Sequence, residues 1–394
     1  MSVRFLGLLV LSLICLSSGF AGELDPPAPP ASTPGPEART PIFDADLPLT
    51  IDERGGSFYF AEPLTYEDTD STAITVTERF VTIDLNGFTL EGPGRLLGTT
   101  NNTGIWSTGV ARDVIIRNGT VSGFGADGVR ITARGGHVAD VHVFDVGEAG
   151  INITADNGQV TDCTVQSCDV AGIQVGPGSL VRDCVARGNA TGIDAEEDCS
   201  IIACVAVNNT GVGINTNGTS TLKSCAAHSN GEEGILIIGN GSVENCVAND
   251  NGDDGIQSTL NTVFVNCSAF GNADSGMVTS SGLIIDCTAD GNDGSGFWIT
   301  SSGSVERCKA QGNGTADQPT AGVRVSGVHA RADGNSLVRN IPQQILLDGD
   351  NIAAVRNIMF TVLEGGLSDT GSGNDVAPVR TNYTGAGPWD NFEF

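Results

Sequence analysis

The chain of 394 residues contains few lysine, methionine, histidine and aromatic residues. Its only lysines are Lys223 and Lys309, and it has three Met, three Trp, three Tyr and four His. The formal net charge of −28 at pH 7 would repel nucleic acid and anionic membranes. It would also repel an anionic polysaccharide unless cations bridge the two. The scarcity of large side chains argues against a large aromatic core, whereas 54 Gly indicate many turns and closely packed positions.

Long apolar runs are also missing, except near the first residue. Residues 1–21 combine Arg4, an apolar run from Phe5 to Leu16 and small residues ending at Ala21, which is typical of a secretory signal peptide. The run is too short to span a bilayer. We therefore predict a chain that is secreted or located at the cell surface, without a membrane span. The Pro-rich residues 22–48 are expected to form an extended spacer.

A unit of about 21 residues is repeated between residues 161 and 335. Eight cysteines follow one another at intervals of 20 or 21 residues: Cys163, Cys184, Cys204, Cys225, Cys246, Cys267, Cys287 and Cys308. In seven of the eight copies an asparagine stands five residues later: Asn189, Asn209, Asn230, Asn251, Asn272, Asn292 and Asn313. Ala or Val stands two residues after each cysteine, and a larger apolar residue stands three before it. Columns that keep one period over so many copies indicate a solenoid.

Each unit contains three short strand-like pieces separated by turn residues. One ends before the cysteine, the second is the Cys-x-Ala piece, and the third follows a glycine, as in Gly255–Ile256. No gap is long enough for a helix, which favours an all-β fold: a right-handed parallel β-helix over residues 49–360, with coils about 4.8 Å apart. A leucine-rich repeat needs a leucine skeleton and a helical return, and a left-handed β-helix needs a period of six. Neither pattern is present. Residues 361–394 either cover the open end of the last coil or form a free tail.

The repeated columns have a physical reason, since each position of a coil meets its copies above and below. An inward asparagine can hydrogen-bond backbone groups of the turn and the next asparagine amide. The cysteines are expected to be buried free thiols that act as small apolar residues. Their Cα atoms would be within disulfide range, but parallel side chains make the disulfide dihedral awkward. A zinc site is not expected, because no close Cys-x-x-Cys pair exists and histidine is scarce.

A first candidate site consists of carboxylates that precede the third strand in successive coils. These are Glu232, Glu233, Asp253, Asp254 and Asp274. Oxygen ligands a few ångströms apart suit Ca²⁺, and we predict this row as a candidate metal site. The alternative is a solvated acidic row that keeps a repetitive protein soluble.

A second candidate site is formed by the residue after each Gly-Ile pair, which should point outwards from the third strand. The row consists of Arg130, Asn152, Gln174, Asp194, Asn215, Leu236, Gln257, Val278, Trp298 and Arg324. Gln257, Trp298 and Arg324 are the candidate substrate residues, because amides, an exposed Trp and an Arg bind sugars by hydrogen bonding and stacking. The alternative is an ordinary outward strand face.

The two columns, the Asn-x-x-x-Gly-Ile phrase and early coils such as Val81–Leu90 and Ile116–Val121 resemble bacterial right-handed parallel β-helix repeat proteins of the pectin-lyase-like superfamily. The resemblance covers about residues 50–360 and implies the fold. The superfamily includes polysaccharide lyases, glycoside hydrolases, mannuronan epimerases and adhesins, so the resemblance does not choose a function. The Gly-His-Gly of its hydrolases is absent here. The pair Asp253–Asp254 occupies a turn position that other copies also fill with acidic residues.

The sequence therefore leaves three functional hypotheses. The first is an exported β-helix scaffold that recognises polysaccharide and has no detectable catalytic constellation. The second is a Ca²⁺-dependent lyase or epimerase acting on uronate polymers, which we favour over a hydrolase if the protein is an enzyme. The third is a purely structural protein of the cell surface or matrix. No nucleic acid partner is expected.

Overall fold

A computed structural model describes residues 39–95, 102–316, 319–360, 366–380 and 387–393. The predicted signal peptide and most of the predicted spacer, residues 1–38, lie outside the described residues. Both stay predictions. Within the described ranges no helix is long and apolar enough to cross a membrane.

The fold is the predicted right-handed parallel β-helix, with every strand pairing in parallel with its copy in the next coil. Sheet B has fifteen strands, one per coil. They are Leu49–Ile51, Ile74–Val76, Ile105–Ser107, Val129–Ile131, Ile151–Ile153, Ala171–Val175, Thr191–Ala195, Ile214–Asn217, Ile235–Ile238, Ile256–Ser258, Met277–Thr279, Phe297–Ile299, Ala321–Val325, Gln343–Leu347 and Leu367–Asp369. Ten of them, from Val129–Ile131 to Ala321–Val325, are the strands that the sequence predicts after a glycine.

Sheet A has thirty strands and contains the other two pieces of each coil. They are Thr40–Ile42, Ser57–Phe60, Leu64–Thr65, Thr82–Asp84, Thr89–Glu91, Ile115–Ser122, His137–Val146, Gln159–Thr161, Thr164–Cys168, Leu180–Arg182, Val185–Arg187, Ser200–Ile202, Val205–Val207, Ser220–Lys223, Ala226–His228, Gly241–Glu244, Val247–Asn249, Thr262–Val265, Ser268–Phe270, Leu283–Ile285, Thr288–Asp290, Ser304–Glu306, Lys309–Gln311, Arg331–Asp333, Ser336–Val338, Ala353–Val355, Ile358–Phe360, Asp375–Val376, Val379–Arg380 and Asn391–Glu393. A short 3₁₀ helix, Asp44–Asp46, lies in the first coil.

Left-handed residues make the sharp bends of the coil. Asp183 (φ 54°) precedes Cys184, and Gly188 (φ 63°) precedes Asn189. The same conformation recurs before the other column residues between Cys163 and Asn340. Backbone at φ near +55° is favourable for Gly and tolerated by Asn and Asp, which explains why these residue types stand before most column residues, although Ser, Ala or Arg occupies some of the positions.

The interior is a continuous stack of small and branched side chains. The Ala186, Ala206 and Ala227 positions that follow each cysteine are fully buried, as is the Ile193, Ile214 and Ile235 row of sheet B. All ten cysteines among the described residues are buried and unpaired, as predicted for the eight that define the repeat. Larger residues are also inside, both in the earlier coils, as with Phe124, and in the regular coils, as with Phe264 and Phe297.

The coils extend beyond the boundaries that composition suggests. Thr40–Ile42 pairs with Ser57–Phe60, so part of the stretch assigned to the spacer belongs to the first coil. At the other end, Asn391–Glu393 pairs with Ile358–Phe360, and Leu367–Asp369 extends sheet B. The described parts of the predicted tail therefore continue the stack of coils.

Candidate functional site

The ten residues predicted from the Gly-Ile pairs form one register row on sheet B, but Asn152 and Val278 are buried and not exposed as predicted. Each is the direct partner of the next, from Arg130 opposite Asn152 to Trp298 opposite Arg324. The row begins earlier than predicted, because Trp106 lies opposite Arg130 and is 36% exposed. The sequence contains the signal for it, since Trp106 follows Gly104–Ile105. The prediction missed it because residues 92–102 interrupt the period.

Three of the five predicted acidic residues come together in the structure. Single carboxylate oxygens of Asp253, Asp254 and Asp274 all lie within 4.8 Å of one another. Glu232 and Glu233 are not part of this group: Glu232 is exposed and lies against Gly211 of the preceding coil. Glu233 is half-buried, and burial together with the Asp253 and Glu232 charges raises the pKa of its carboxyl.

Asp254 is the most buried member of this carboxylate group, with 4% of its surface exposed. Its Oδ1 accepts a hydrogen bond from the Ser275 backbone N–H (2.8 Å), and its Oδ2 accepts one from Gln257 Nε2 (2.7 Å). Burial raises the pKa of Asp254 to about 7, and the neighbouring Asp274 and Asp253 charges act in the same direction. Burial also raises the pKa of Asp274. The Gln257 bond joins the two rows, so the sites predicted separately are adjacent.

A cavity of about 560 Å³ opens beside this carboxylate group. Its described lining includes Asp274, Ser275, Trp298, Thr320 and Arg324. These residues come from successive coils, because the turn before each sheet B strand places its polar side chains next to the outward row. The cavity therefore contains two of the three predicted substrate residues and one of the predicted metal ligands.

Trp298 and Arg324 are fixed by other residues. Arg324 lies over the Trp298 ring at 4.4 Å and donates to Asp348 Oδ2 (2.9 Å), while Trp298 Nε1 donates to Ser326 Oγ (2.6 Å). The guanidinium thus covers one face of the indole, and a sugar can stack only on the remaining surface. Neither Asp348 nor Ser326 follows from the repeat pattern. The sequence therefore predicted Trp298 and Arg324 but not the residues that hold them in place.

The donor set is chemically compatible with Ca²⁺. Carboxylate oxygens are the ligands that Ca²⁺ prefers, and the carboxylates of Asp253 and Asp274 are more accessible than that of Asp254. Asp254 is already bonded to Gln257 and Ser275, so it would have to share its oxygens with these donors. The described lining of the cavity contains no His, Lys or Tyr that would act as a base.

A second buried carboxylate occupies the equivalent turn position near the start of the row. Asp127 is fully buried and accepts hydrogen bonds from the Ala149 backbone N–H (3.0 Å) and from Asn152 Nδ2 (3.2 Å). Burial raises the pKa of Asp127 to about 6, helped by the Glu148 charge and opposed by Arg130. The repeat pattern did not single it out, because the other copies of this position are mostly small or apolar.

Comparison with known proteins agrees with the fold. A family described as the right handed beta helix region matches residues 96–205 and 194–341. The A-module of mannuronan C-5 epimerase AlgE6 from Azotobacter vinelandii is 16% identical, with a TM-score of 0.50 over 82% of this chain and 91% of that module. The AlgE4 A-module from the same organism is 14% identical, with a TM-score of 0.48 over 74% of this chain and 86% of that module.

No curated protein matches the chain by sequence. At these identities the structural likeness concerns the fold alone. The family match, in contrast, extends from residue 96 to residue 341 and covers more than half of the sequence. The chain therefore belongs to the right-handed beta helix family.

Proposed function

We propose that this protein is an exported β-helix module that binds polysaccharide along the outward row of sheet B. The observation that carries the proposal is the cavity beside Trp298, where an indole, a guanidinium, hydroxyls and carboxylates meet on one regular surface. Carbohydrate sites combine an aromatic surface with a few fixed polar groups in this way. The row continues to Trp106 at its other end, which gives a long polymer a second aromatic contact.

A register row suits a polymer better than a small ligand. Amide and carboxylate side chains follow one another from Gln174 through Asp194 to Asn215, joined by bonds such as Asn215 Nδ2 to Asp194 Oδ1 (2.9 Å). Such a fixed polar surface offers hydrogen-bonding groups at each coil, about 4.8 Å apart. The mannuronan epimerase modules that share this fold act on a polysaccharide by their names, but the proposal rests on the row and its cavity.

The test is a binding measurement with a panel of neutral and uronate polysaccharides. We expect Trp298→Ala to abolish binding of the recognised polymer, whereas Trp298→Phe keeps part of it. Trp389→Ala is the matched control, because Trp389 is 55% exposed and lies outside the row. Circular dichroism shows whether each variant keeps its fold. No binding of any polymer favours the purely structural protein. Equal binding by wild type and Trp298→Ala would show that the polymer does not bind at the cavity beside Trp298.

A second candidate function is a Ca²⁺-dependent lyase or epimerase acting on uronate polymers. The specific observation in its favour is the group of Asp253, Asp254 and Asp274 beside the cavity. Bound Ca²⁺ would neutralise a substrate carboxylate there, which makes the proton at C5 easier to remove. In a lyase a base takes that proton, O4 leaves with the electron pair of the C4–O4 bond and takes up a proton, and a C4=C5 double bond remains.

Ultraviolet absorbance of unsaturated uronate ends tests the lyase directly. The full chain is incubated with pectate and alginate, with Ca²⁺ or with a chelator. A Ca²⁺-dependent rise that Asp274→Asn removes would make the protein a lyase. A flat trace excludes eliminative cleavage of those polymers, and nuclear magnetic resonance of the recovered polymer then tests for epimerisation, which produces no such chromophore.

A further inference from the structure

A row of arginines lies on the early coils, away from the cavity of the proposed function. Arg54, Arg79, Arg112 and Arg134 each stand three residues before a strand of sheet A, and those strands are register partners. Backbone hydrogen bonds confirm the stacking. The carbonyls of Arg79, Arg112 and Arg134 accept from the residue after the preceding arginine, at 2.9, 2.9 and 3.1 Å. Successive arginines are therefore one coil apart, about 4.8 Å.

This arrangement is unusual for the chain. Of its 394 residues only 19 are Lys or Arg, yet four arginines occupy one position in four consecutive coils. In the next coil the same position is Asp156, which binds Arg134 at 2.6 Å. Like charges stacked directly above one another are unfavourable, so the row lowers stability slightly unless an anion lies across it.

Three of these arginines have no acidic partner among the described residues. Arg54, Arg79 and Arg112 are exposed, and none forms an ion pair with any residue that the structure describes, although Glu53, Glu78 and Asp113 adjoin them in sequence. Between Arg54 and Arg79 lies a cavity of about 300 Å³, lined also by Thr77, Glu78 and Val110. The three charges are thus available to a ligand.

The surroundings of the row are suited to a sugar. Phe80 is 50% exposed, and the Arg54 guanidinium lies over its ring at 5.5 Å. Val110 is 63% exposed. An aromatic ring, an apolar residue and guanidinium groups together match a pyranose that has an apolar face and a carboxylate or sulfate.

We propose that Arg54, Arg79 and Arg112 bind a linear acidic polysaccharide that runs along the axis of the coils. One coil rise corresponds to about one residue of an extended uronate polymer, so a polymer that lies along the row can pair the carboxylates on its facing side with these guanidinium groups. Consecutive phosphates of an extended nucleic acid strand lie further apart. Because the overall charge of −28 repels polyanions elsewhere on the surface, binding of a polyanion without a bridging cation is confined to this row.

The test measures binding of polygalacturonate to the full chain at low salt in the presence of a chelator, which removes any contribution of a cation at the carboxylate group. The variant Arg54→Gln/Arg79→Gln/Arg112→Gln should bind about tenfold more weakly. The control Arg182→Gln/Arg187→Gln/Arg339→Gln removes the same charge from exposed positions elsewhere. It should stay within about twofold of wild type. Binding should weaken with added salt, and a neutral glucan should not compete.

Three results would overturn the proposal. They are no chelator-resistant binding by wild type, equal loss in both triple variants, and tighter binding of single-stranded DNA through the same arginines. The inference does not rest on the site beside Trp298, and Trp298→Ala should keep chelator-resistant binding to the arginine row. Failure of one site is therefore visible independently of the other.

Discussion

Two columns of side chains run through the interior of the same coils. Both provide acceptors for backbone N–H groups of the neighbouring coil, but the resulting hydrogen bonds differ in strength. The cysteine column and the asparagine column both follow a left-handed residue, for instance Asp183 before Cys184 and Gly188 before Asn189. The N–H of each column residue then points along the axis of the coils towards the next side chain. In one column that side chain is a thiol, and in the other it is an amide.

The amide is the better partner. Asn209 donates its backbone N–H (3.2 Å) and its Nδ2 (2.9 Å) to Asn230 Oδ1, while Asn230 Nδ2 continues to Asn251 Oδ1 (2.9 Å). In the cysteine column the backbone N–H of Cys225 reaches only the Cys246 sulfur, at 3.4 Å. Sulfur is a weak acceptor, so the thiols contribute mainly as small buried apolar groups.

At the end of the cysteine column, asparagine replaces cysteine at the same position of the coil. After Cys308 the same position is filled by Asn335, Asn357 and Asn391, each bonded to the next. The N–H of Cys308 therefore donates to an amide oxygen at 2.9 Å, in contrast to 3.5 Å to sulfur one coil earlier. One position in the coil thus accepts either residue, and the difference between them is energetic.

The largest expected effect concerns a third kind of acceptor, the buried carboxylate of Asp127. It takes the N–H of Ala149 much as an asparagine would, but it is charged and its pKa is raised to about 6 by burial. The pKa of this carboxyl is near 3.9 in the unfolded chain and about 6 in the fold. The stability that the protonated carboxyl contributes is therefore fully present below about pH 3.9 and is lost as the pH rises through about 6. Because an amide does not ionise, Asp127→Asn removes this pH-dependent loss of stability. The variant should gain up to about 3 kcal/mol over wild type between pH 4 and pH 7.

Urea unfolding of both proteins at several pH values measures this difference. Asp286→Asn is the control of opposite sign, because its hydrogen bond to Arg307 lowers the pKa of Asp286. That variant should be less stable than wild type at neutral pH, with the difference vanishing as the pH falls through the folded pKa of Asp286. A pH-independent difference for Asp127→Asn would show that the carboxylate is not buried as described.

The next effect tests the asparagine column itself. Asn251 Oδ1 accepts from the N–H and the Nδ2 of Asn230, and its own Nδ2 donates to Asn272 Oδ1 and to the Ala227 carbonyl. Asn251→Ala removes these bonds and leaves buried polar groups without partners, which should cost about 1–3 kcal/mol in the free energy of unfolding. Asn261→Ala is the control, since Asn261 is exposed and its side chain makes one long hydrogen bond (3.4 Å) among the described residues. An unchanged midpoint for Asn251→Ala would contradict the role of the column.

The repeat pattern predicted these columns well because one environment recurs in every coil. Cys184, Asn189 and the outward Gln257 follow from spacing alone. Spacing cannot predict a contact that occurs in only one coil. The ion pair of Arg324 with Asp348 depends on a position beyond the regular coils, and the burial of Asp127 depends on its particular neighbours. The later asparagines Asn335 and Asn357 were missed because the residue type of the column changes there.

The arginine row was missed for a related reason. Arg54, Arg79 and Arg112 lie in coils of unequal length, so no fixed interval connects them in the sequence. Only the strand register shows that they occupy one position. Function is least predictable in such coils, because irregular turns allow side chains to be brought together without leaving a period.

The smallest expected effect is also the sharpest comparison of the two columns. Cys308→Asn places an amide next to Asn335. Asn335 Oδ1 can accept a hydrogen bond from the new Nδ2, just as Asn357 Oδ1 accepts one from Asn335 Nδ2 (2.9 Å). The Ile284 carbonyl, now 3.4 Å from the Cys308 sulfur, offers a second acceptor. The substitution should therefore change the free energy of unfolding by less than about 1 kcal/mol, or increase it.

The same substitution in the middle of the cysteine column provides the contrast. In Cys246→Asn the new amide has Cys267 on one side and Cys225 on the other, so its Nδ2 lacks a neighbouring amide oxygen. A buried donor without a good acceptor costs about 1–3 kcal/mol, and unfolding in urea should separate the two variants by that amount. If both variants lose equal stability, the size of the amide and not its hydrogen bonding decides which residue the column accepts. Equal tolerance of both would mean that an asparagine inside a coil needs no partner of its own kind.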